Sequence, residues 1–234
     1  MSTYQEQKII RTIYTDINED DYDEKVVLAG ITFGKDYNYF KEISIIIEFK
    51  DGKREEFKLE ESGENFNIFT TDITSSNSKE ILLVGDYNKY GAFGTIKIFK
   101  YENNNLDLIF DNKMCCNKIN YKINCLEDYK LEIACENTQD VYMIDINNTN
   151  KNYINNTYGE YSEVKDNIKN NITYSIDNVF PIKLPNKEHY SLLIQQGFRV
   201  DDYLEKLGGV QTLADINEDG ELTIIDQYIM TKSY

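Results

Sequence analysis

The sequence predicts an all-β protein: a β-propeller-like array of antiparallel meander blades, about five units, in a single domain over residues 1–234. Three observations predict it. Tyr and Phe are abundant, 19 and 11 in 234 residues with no Trp, and such rings favour half-buried pleated surfaces. Apolar residues recur with period two along most of the chain. Acidic segments opening on Asp16 and Asp72 repeat at a spacing of 56 residues, the length of one three- or four-stranded meander.

The strands can be justified in chain order. "QKIIRTIY" is an apolar N-terminal strand, expected to complete the last unit and close a ring. In "EISIIIEFKDGKREEFKLE", Ile43, Ile45, Ile47 and Phe49 alternate, Asp51-Gly52 supplies a tight turn, and Phe57 and Leu59 begin the return. "SKEILLVGD" (78–86) suits a buried inner strand. "GTIKIFKYENNNLDLIFD" (94–111) reads as a hairpin turning at 103–105. "YKLEIAC" and "DVYMIDI" pair around a polar turn, and "HYSLLIQQGF" (189–198) is a further strand. Pro181 and Pro185 bracket "PIKLP" as an edge strand or strand entry, because proline cannot donate to a ladder. "VDDYLEKLGG" (200–209) predicts one short helix near 200–208, closed by a glycine pair. Residues 147–171, rich in Asn, Tyr and Lys, predict a long loop.

The repeats carry the most information. "YTDINEDDYDEKVVLAG", "FTTDITSSNSKEILLVG" and "QTLADINEDGELTIID" each run from an apolar lead-in through Asp-Ile-(Asn/Thr) and a polar turn into an apolar strand. Phasing the rest on the same period marks units at Asp16, Asp72, Asp128, Asp177 and Asp215.

These turns also carry the one specific chemistry. Calcium takes six to eight oxygens from carboxylates, amides and carbonyls, and alternate residues of a tight loop can aim oxygens at one centre. The first set is Asp16, Asn18, Asp20, the carbonyl of Tyr22, and Glu24. The last is Asp215, Asn217, Asp219, the carbonyl of Glu221, and Thr223, with Gly220 at the sharp bend. In the middle copy Thr74, Ser76 and Ser78 would replace an ion with hydroxyl hydrogen bonds. The plainer reading is that Asp, Asn and Gly are what turns use for bonds to their own backbone.

The segment "DINEDDYDEKVVLAG" resembles the FG-GAP or VCBS-type repeat of integrin-like β-propellers, whose core is D-x-(D/N)-x-D-G-x-x-(D/E) before an apolar strand. The first copy departs at the glycine, where Asp21 stands, and the middle copy keeps only Asp72 and Glu80. The layout resembles VCBS-repeat proteins of low-GC Gram-positive bacteria. The last loop, with Asp226 at the twelfth position, also resembles half of a dockerin module. "TIIDQYIMTK" after it is β-branched and favours a strand over the helix a dockerin needs.

Composition narrows the partners. A net charge of −16 repels phosphate backbones and anionic membrane surfaces, so nucleic acid and membrane are not expected partners. A protein or glycan ligand fits, with Ca2+ as the cofactor the turns imply. The N-terminus lacks a basic leader with an apolar core. That predicts a cytoplasmic location, or a spore or cell-surface layer assembled from within. Cys115, Cys116, Cys125 and Cys135 do not follow zinc spacing; they read as reduced thiols, or as a Cys125–Cys135 bridge in an oxidising compartment.

No nucleophile elbow or phosphate-binding loop is present, and His189 is the single histidine. "GDYNKYGAF" offers Tyr87, Tyr90 and Phe93 as blade packing or as a recognition surface. These features favour a non-enzymatic binding or structural module with calcium-stabilised blade loops. The alternatives are a hydrolase or lyase acting on polysaccharide on the same scaffold, and dockerin-like anchoring through the C-terminal loop.

Overall fold

The computed structural model describes residues 7–32, 39–76, 78–87, 94–147, 154–155, 157–159, 163–165, 172–200 and 203–230. Most of the expected loop at 147–171 lies outside these residues, as do Tyr90 and Phe93. The described chain forms four antiparallel sheets, each a run of consecutive strands.

Sheet 1 holds β1 (Gln7–Thr15), β2 (Glu24–Thr32), β3 (Phe40–Glu48) and β4 (Arg54–Leu59). Sheet 2 holds β5 (Glu64–Thr71), β6 (Glu80–Asp86), β7 (Gly94–Glu102) and β8 (Asn105–Asp111). After a short helix, α1 (Asn112–Lys118), sheet 3 holds β9 (Tyr121–Leu126), β10 (Lys130–Cys135) and β11 (Val141–Asp145). Sheet 4 holds β12 (Ile172–Lys183), β13 (Tyr190–Val200), β14 (Tyr203–Ile216) and β15 (Leu222–Met230). The architecture is thus an all-β, propeller-like array of meanders. No helix among the described residues is long and apolar enough to cross a membrane.

Period-two alternation explains how the sheets stack. In sheet 2, Ile68, Ile81, Leu83 and Phe99 face one way and join Val26, Leu28, Ile43, Ile45 and Ile47 of sheet 1 in one core. Leu82, Ile96, Ile98 and Phe110 face the other way, into a core shared with sheets 3 and 4. Sheet 2 is therefore covered on both faces, which is why its inner strands read as nearly continuous apolar runs. Neither of these cores joins sheet 4 to sheet 1 among the described residues.

Four expectations are corrected. The segment read as a helix over 200–208 is strand from Tyr203 onward, paired with β13 and β15. The N-terminal strand pairs with β2, not with the last unit, so it opens sheet 1 instead of closing a ring. Four sheets stand where about five units were marked: Asp177 sits at a bulge inside β12, and Asp215 belongs to that same sheet. The Cys125–Cys135 bridge is out of reach, and none of the four cysteines is in a disulfide. Cys125 faces Leu131 and Cys135 faces Tyr121, which separates the two by roughly 13 Å of strand rise.

Two readings held. β12 is the edge strand of its sheet and contains Pro181. The turn at Asn103 and Asn104 has positive φ at both residues, 52° and 60°. That is the primed geometry a two-residue hairpin needs. Helix α1 had no strong periodic signal. Its start is fixed by Asp111, whose carboxylate accepts the Met114 N–H at 2.8 Å.

Candidate functional site

The spacing of 56 residues is structural. Asp16 begins the β1–β2 turn, Asp72 the β5–β6 turn, and Asp128 lies in the β9–β10 turn, so all three occupy the first hairpin of their sheets. Glu19 and Ser75, again 56 apart, both take positive φ, 62° and 64°. The apolar residue after each leading aspartate, Ile17 or Ile73, is buried. It anchors the turn to the core beneath.

In the first turn the Asp16 carboxylate accepts the N–H groups of Asp20 (3.2 Å) and Asp21 (3.0 Å). Asn18 Oδ1 also accepts Asp20 N–H, Asn18 Nδ2 donates to Asp20 Oδ2, and Asp20 Oδ1 accepts Tyr22 N–H at 3.0 Å. Glu24, the first residue of β2, is 1 % exposed and takes the Ile17 N–H on Oε2 at 3.1 Å. Burial pushes its carboxyl above the usual range. The Ile17 amide partly offsets this, and the charges of Asp20 and Asp16 push further upward. The turn contains Asp16, Glu19, Asp20, Asp21, Asp23 and Glu24 with no basic residue between them.

The middle turn surrounds its buried carboxylate with hydroxyls instead of further acids. Glu80, fully buried, takes Ile73 N–H on Oε2 at 2.7 Å, as Glu24 takes Ile17. Its Oε1 then accepts Thr74 Oγ1 (2.7 Å), Ser76 Oγ (3.1 Å) and Ser78 Oγ (3.4 Å). The hydroxyl substitution expected from the sequence is present. Positions 74, 76 and 78 correspond to 18, 20 and 22 in the first turn.

The last turn stands in a different setting. It joins β14 to β15, the third connection of its sheet, not the first. Asp215 and Thr223 face each other across the ladder. Asn217 Oδ1 accepts the N–H groups of Asp219 and Glu221, and the Glu221 carbonyl accepts Asn217 N–H at 3.1 Å. The Asp215 carboxylate is held by the Lys187 ammonium and by Ser191 Oγ at 2.7 Å, with His189 Nε2 at 3.5 Å. Burial would raise its pKa, but Lys187, Ser191 and His189 outweigh that and hold it below the usual range. Gly220 has φ +72°, and a Cβ there would run into the Ile109 carbonyl of β8. Its glycine therefore answers a close packing contact as well as a bend. β15 follows where a dockerin-type loop would need a helix, and Asp226 is paired within the ladder opposite Leu213.

Among the described residues, no group of three or more His, Cys, Asp or Glu side chains is gathered closely enough to hold a metal ion. The first-turn carboxylates point at backbone N–H groups of their own loop. A cation would have to take over those bonds.

Beside the first turn lies an open cleft of about 750 Å³. One wall is the β1–β2 turn, through Asn18, Asp20 and Tyr22. The second is the β3–β4 turn, through Phe49, Lys50, Asp51 and Lys53. The third is the end of β7 with its turn, through Tyr101, Asn103 and Asn104. Lys187, Ser191 and the lysines of this cleft were not read from the sequence, because each acts on a residue from a distant strand.

Fold and turns together define a β-propeller-like module with acidic hairpin turns at the strand ends. Residues 119–230, which span sheets 3 and 4, match the YybI C-terminal domain family. The chain is similar to the "Uncharacterized protein YybI" of Bacillus subtilis (strain 168), 22% identical over 178 residues, covering 74% of this chain and 68% of that protein. The family matched is not the FG-GAP or VCBS type, to which the turns keep only their local resemblance. Among solved structures, the WD40 domain of SCAP from fission yeast is similar at 13% identity with a TM-score of 0.26. That similarity covers 97% of this chain, which spans about half (49%) of the SCAP chain. The core formed by Leu82, Ile96 and Phe110 with sheets 3 and 4 runs across the boundary at residue 119.

Proposed function

We propose that the protein is a non-enzymatic binding module in which the β1–β2 turn takes a calcium ion and so rigidifies the end of the sheets that meets a protein or glycan partner. The supporting observation is the pair Glu24 and Glu80. Both carboxylates are buried at the same point of successive sheets, and both spend one oxygen on an isoleucine N–H. Glu80 has three hydroxyls on its other oxygen. Around Glu24 the corresponding positions carry Asn18, Asp20 and a backbone carbonyl, which are acceptors suited to a hard cation.

The chemistry of the donors fits calcium: oxygen only, flexible, and mixed between carboxylate, amide and carbonyl. Residues Asp16, Asn18, Asp20, Tyr22 (carbonyl) and Glu24 would hold the ion. The bound charge would neutralise the crowded carboxylates, so binding would stabilise the fold. At the last turn Lys187 already supplies a positive charge to Asp215, which makes that turn the weaker second candidate.

The test is a thermal melt at low ionic strength with calcium and with chelator, on the native chain and on Glu24→Gln. Calcium should raise the melting temperature of the native chain and leave the variant unmoved. No calcium shift in the native chain sinks the reading. The hydrolase or lyase alternative would show instead as new reducing ends released from polysaccharide.

A further inference from the structure

We infer that the cleft between the turns of sheets 1 and 2 is a binding site for a neutral oligosaccharide. This rests on the binding-module reading above and gives that module its ligand class. The cleft's volume of about 750 Å³ lies in the range of small-molecule sites, roughly 300–1,000 Å³.

Its walls match both sides of a sugar ring. A pyranose shows an apolar C–H face and a rim of hydroxyls. Tyr22, 52 % exposed, offers a ring at the cleft mouth, with Phe49 and Tyr101 deeper and their rings 5.7 Å apart. Asn103 offers an amide that both donates and accepts, and Asn104 offers its Nδ2 as a donor, its Oδ1 already accepting from Lys53. The backbone of Asn103 and Asn104 is set by their tight turn, so no loop has to be ordered on binding.

Charge separates this ligand from a basic peptide, the other partner an acidic protein would attract. The cleft wall carries two acids, Asp20 and Asp51, and two lysines, Lys50 and Lys53. Lys53 Nζ is engaged with Glu55 (2.7 Å) and Asn104 Oδ1 (2.8 Å), and the Lys50 ammonium lies 3.0 Å over the Tyr22 ring. The residues lining the cleft balance, two of each sign, and a cation in the β1–β2 turn would offset part of the acidic charge behind them. A lysine-rich ligand would meet Lys50 and Lys53 in the wall itself, whereas neutral hydroxyls find donors and acceptors of both kinds. For a sugar to stack on Tyr22, the exposed Lys50 arm swings aside, which needs no backbone movement.

The turn links the cleft to the ion. Asn18, Asp20 and Tyr22 line the cleft and are three of the five proposed calcium-holding residues. Tyr22 would contribute its carbonyl to the ion and its ring to the cleft, whereas Asn103 and Asn104 belong to the cleft alone, so the two roles can be cut apart by substitution there.

The test is a chemical-shift titration of the 15N-labelled full chain with neutral tetrasaccharides of glucose, mannose, galactose and N-acetylglucosamine. Tetralysine is the contrasting probe, and every titration is run with calcium and with chelator. At least one tetrasaccharide should move the amides of Tyr22, Lys50, Asn103 and Asn104, and Asn103→Gly, which suits the positive φ there but removes the amide, should weaken it about fivefold while keeping the calcium-induced melting shift. Calcium binding without any tetrasaccharide response overturns the cleft and leaves the ion reading standing. A tetrasaccharide response that is equal in chelator and in Glu24→Gln upholds the cleft and removes the ion. Tetralysine moving these amides in place of the sugars overturns the proposal in favour of a basic peptide.

Discussion

Glu24 and Glu80 hold one structural position in successive sheets: each turns Oε2 onto the N–H of an isoleucine seven residues earlier, Ile17 at 3.1 Å and Ile73 at 2.7 Å. The two turns differ in what answers the other oxygen. In the second, hydroxyls do so inside the protein. In the first, neighbouring acids crowd it.

Burial, with that crowding added to it, sets a sign. The folded Glu24 carboxyl is raised, so its protonated form is favoured by folding. Its contribution to stability is fully present below the unfolded pKa and is lost as pH rises through the folded value. In chelator, Glu24→Gln should therefore raise the neutral-pH melting temperature by a few degrees, at about 2–4 °C per kcal/mol for this chain length, and flatten its decline between acid and neutral pH. Melts across that range check it; a lowered melting temperature in chelator would contradict the burial argument.

Glu80→Ala should do the reverse. It strips the acceptor from two buried N–H groups, Ile73 and Thr74, and from three hydroxyls. Unsatisfied buried donors cost about 1–3 kcal/mol each before relaxation. A loss of about 3 kcal/mol or more in urea unfolding is expected, with no dependence on calcium.

Asp177 sits at the β12 bulge, where the extra residue re-aims its side chain. Its two oxygens meet Arg199 Nη2 at 2.6 Å and Lys206 Nζ at 2.7 Å, with the carboxylate only 9 % exposed. Asp177→Ala leaves two cations facing each other under sheet 4. Breaking a buried pair from one side costs about 3–5 kcal/mol, so denaturant midpoints should fall markedly. Asp177→Asn should fall nearly as far, because the charge matters more than the shape.

The Asp215 carboxyl is lowered by Lys187 and Ser191 against its own burial. Its contribution is present above the unfolded pKa and is lost as pH falls through the folded one. Asp215→Asn should reduce stability at neutral pH by less than about 1 kcal/mol, since the pair is partly solvent-screened, and should make the acid limb of the stability profile shallower. Gly220→Ala in the same turn should cost more, through both its φ and the Ile109 carbonyl. Urea melts of the two variants side by side give the order.

Much of the candidate site was legible because it is local. Asp16, Asn18, Asp20 and Glu24 are neighbours in sequence, and Thr74, Ser76 and Ser78 could be read as their uncharged counterparts before any coordinates. The last turn shows where that reading stops. "DINEDG" occurs in both end turns' neighbourhoods almost unchanged, yet Lys187, 28 residues from Asp215, decides the charge of one and not of the other.

By itself, the sequence determined the meander strands, their tight turns and the equivalence of Asp16 with Asp72, because side-chain alternation and turn geometry act over a few residues. Tertiary structure decided that "YLEKLGG" is strand. Gly208 and Gly209 pair with Phe198 and Gly197, and Gly209 also with Met230; those ladder bonds, supplied by distant segments, override a local helical preference. It likewise decided that Asp215 meets Lys187 while the Asp16 carboxylate turns onto backbone N–H groups of its own loop, because charge acts through space and not along the chain.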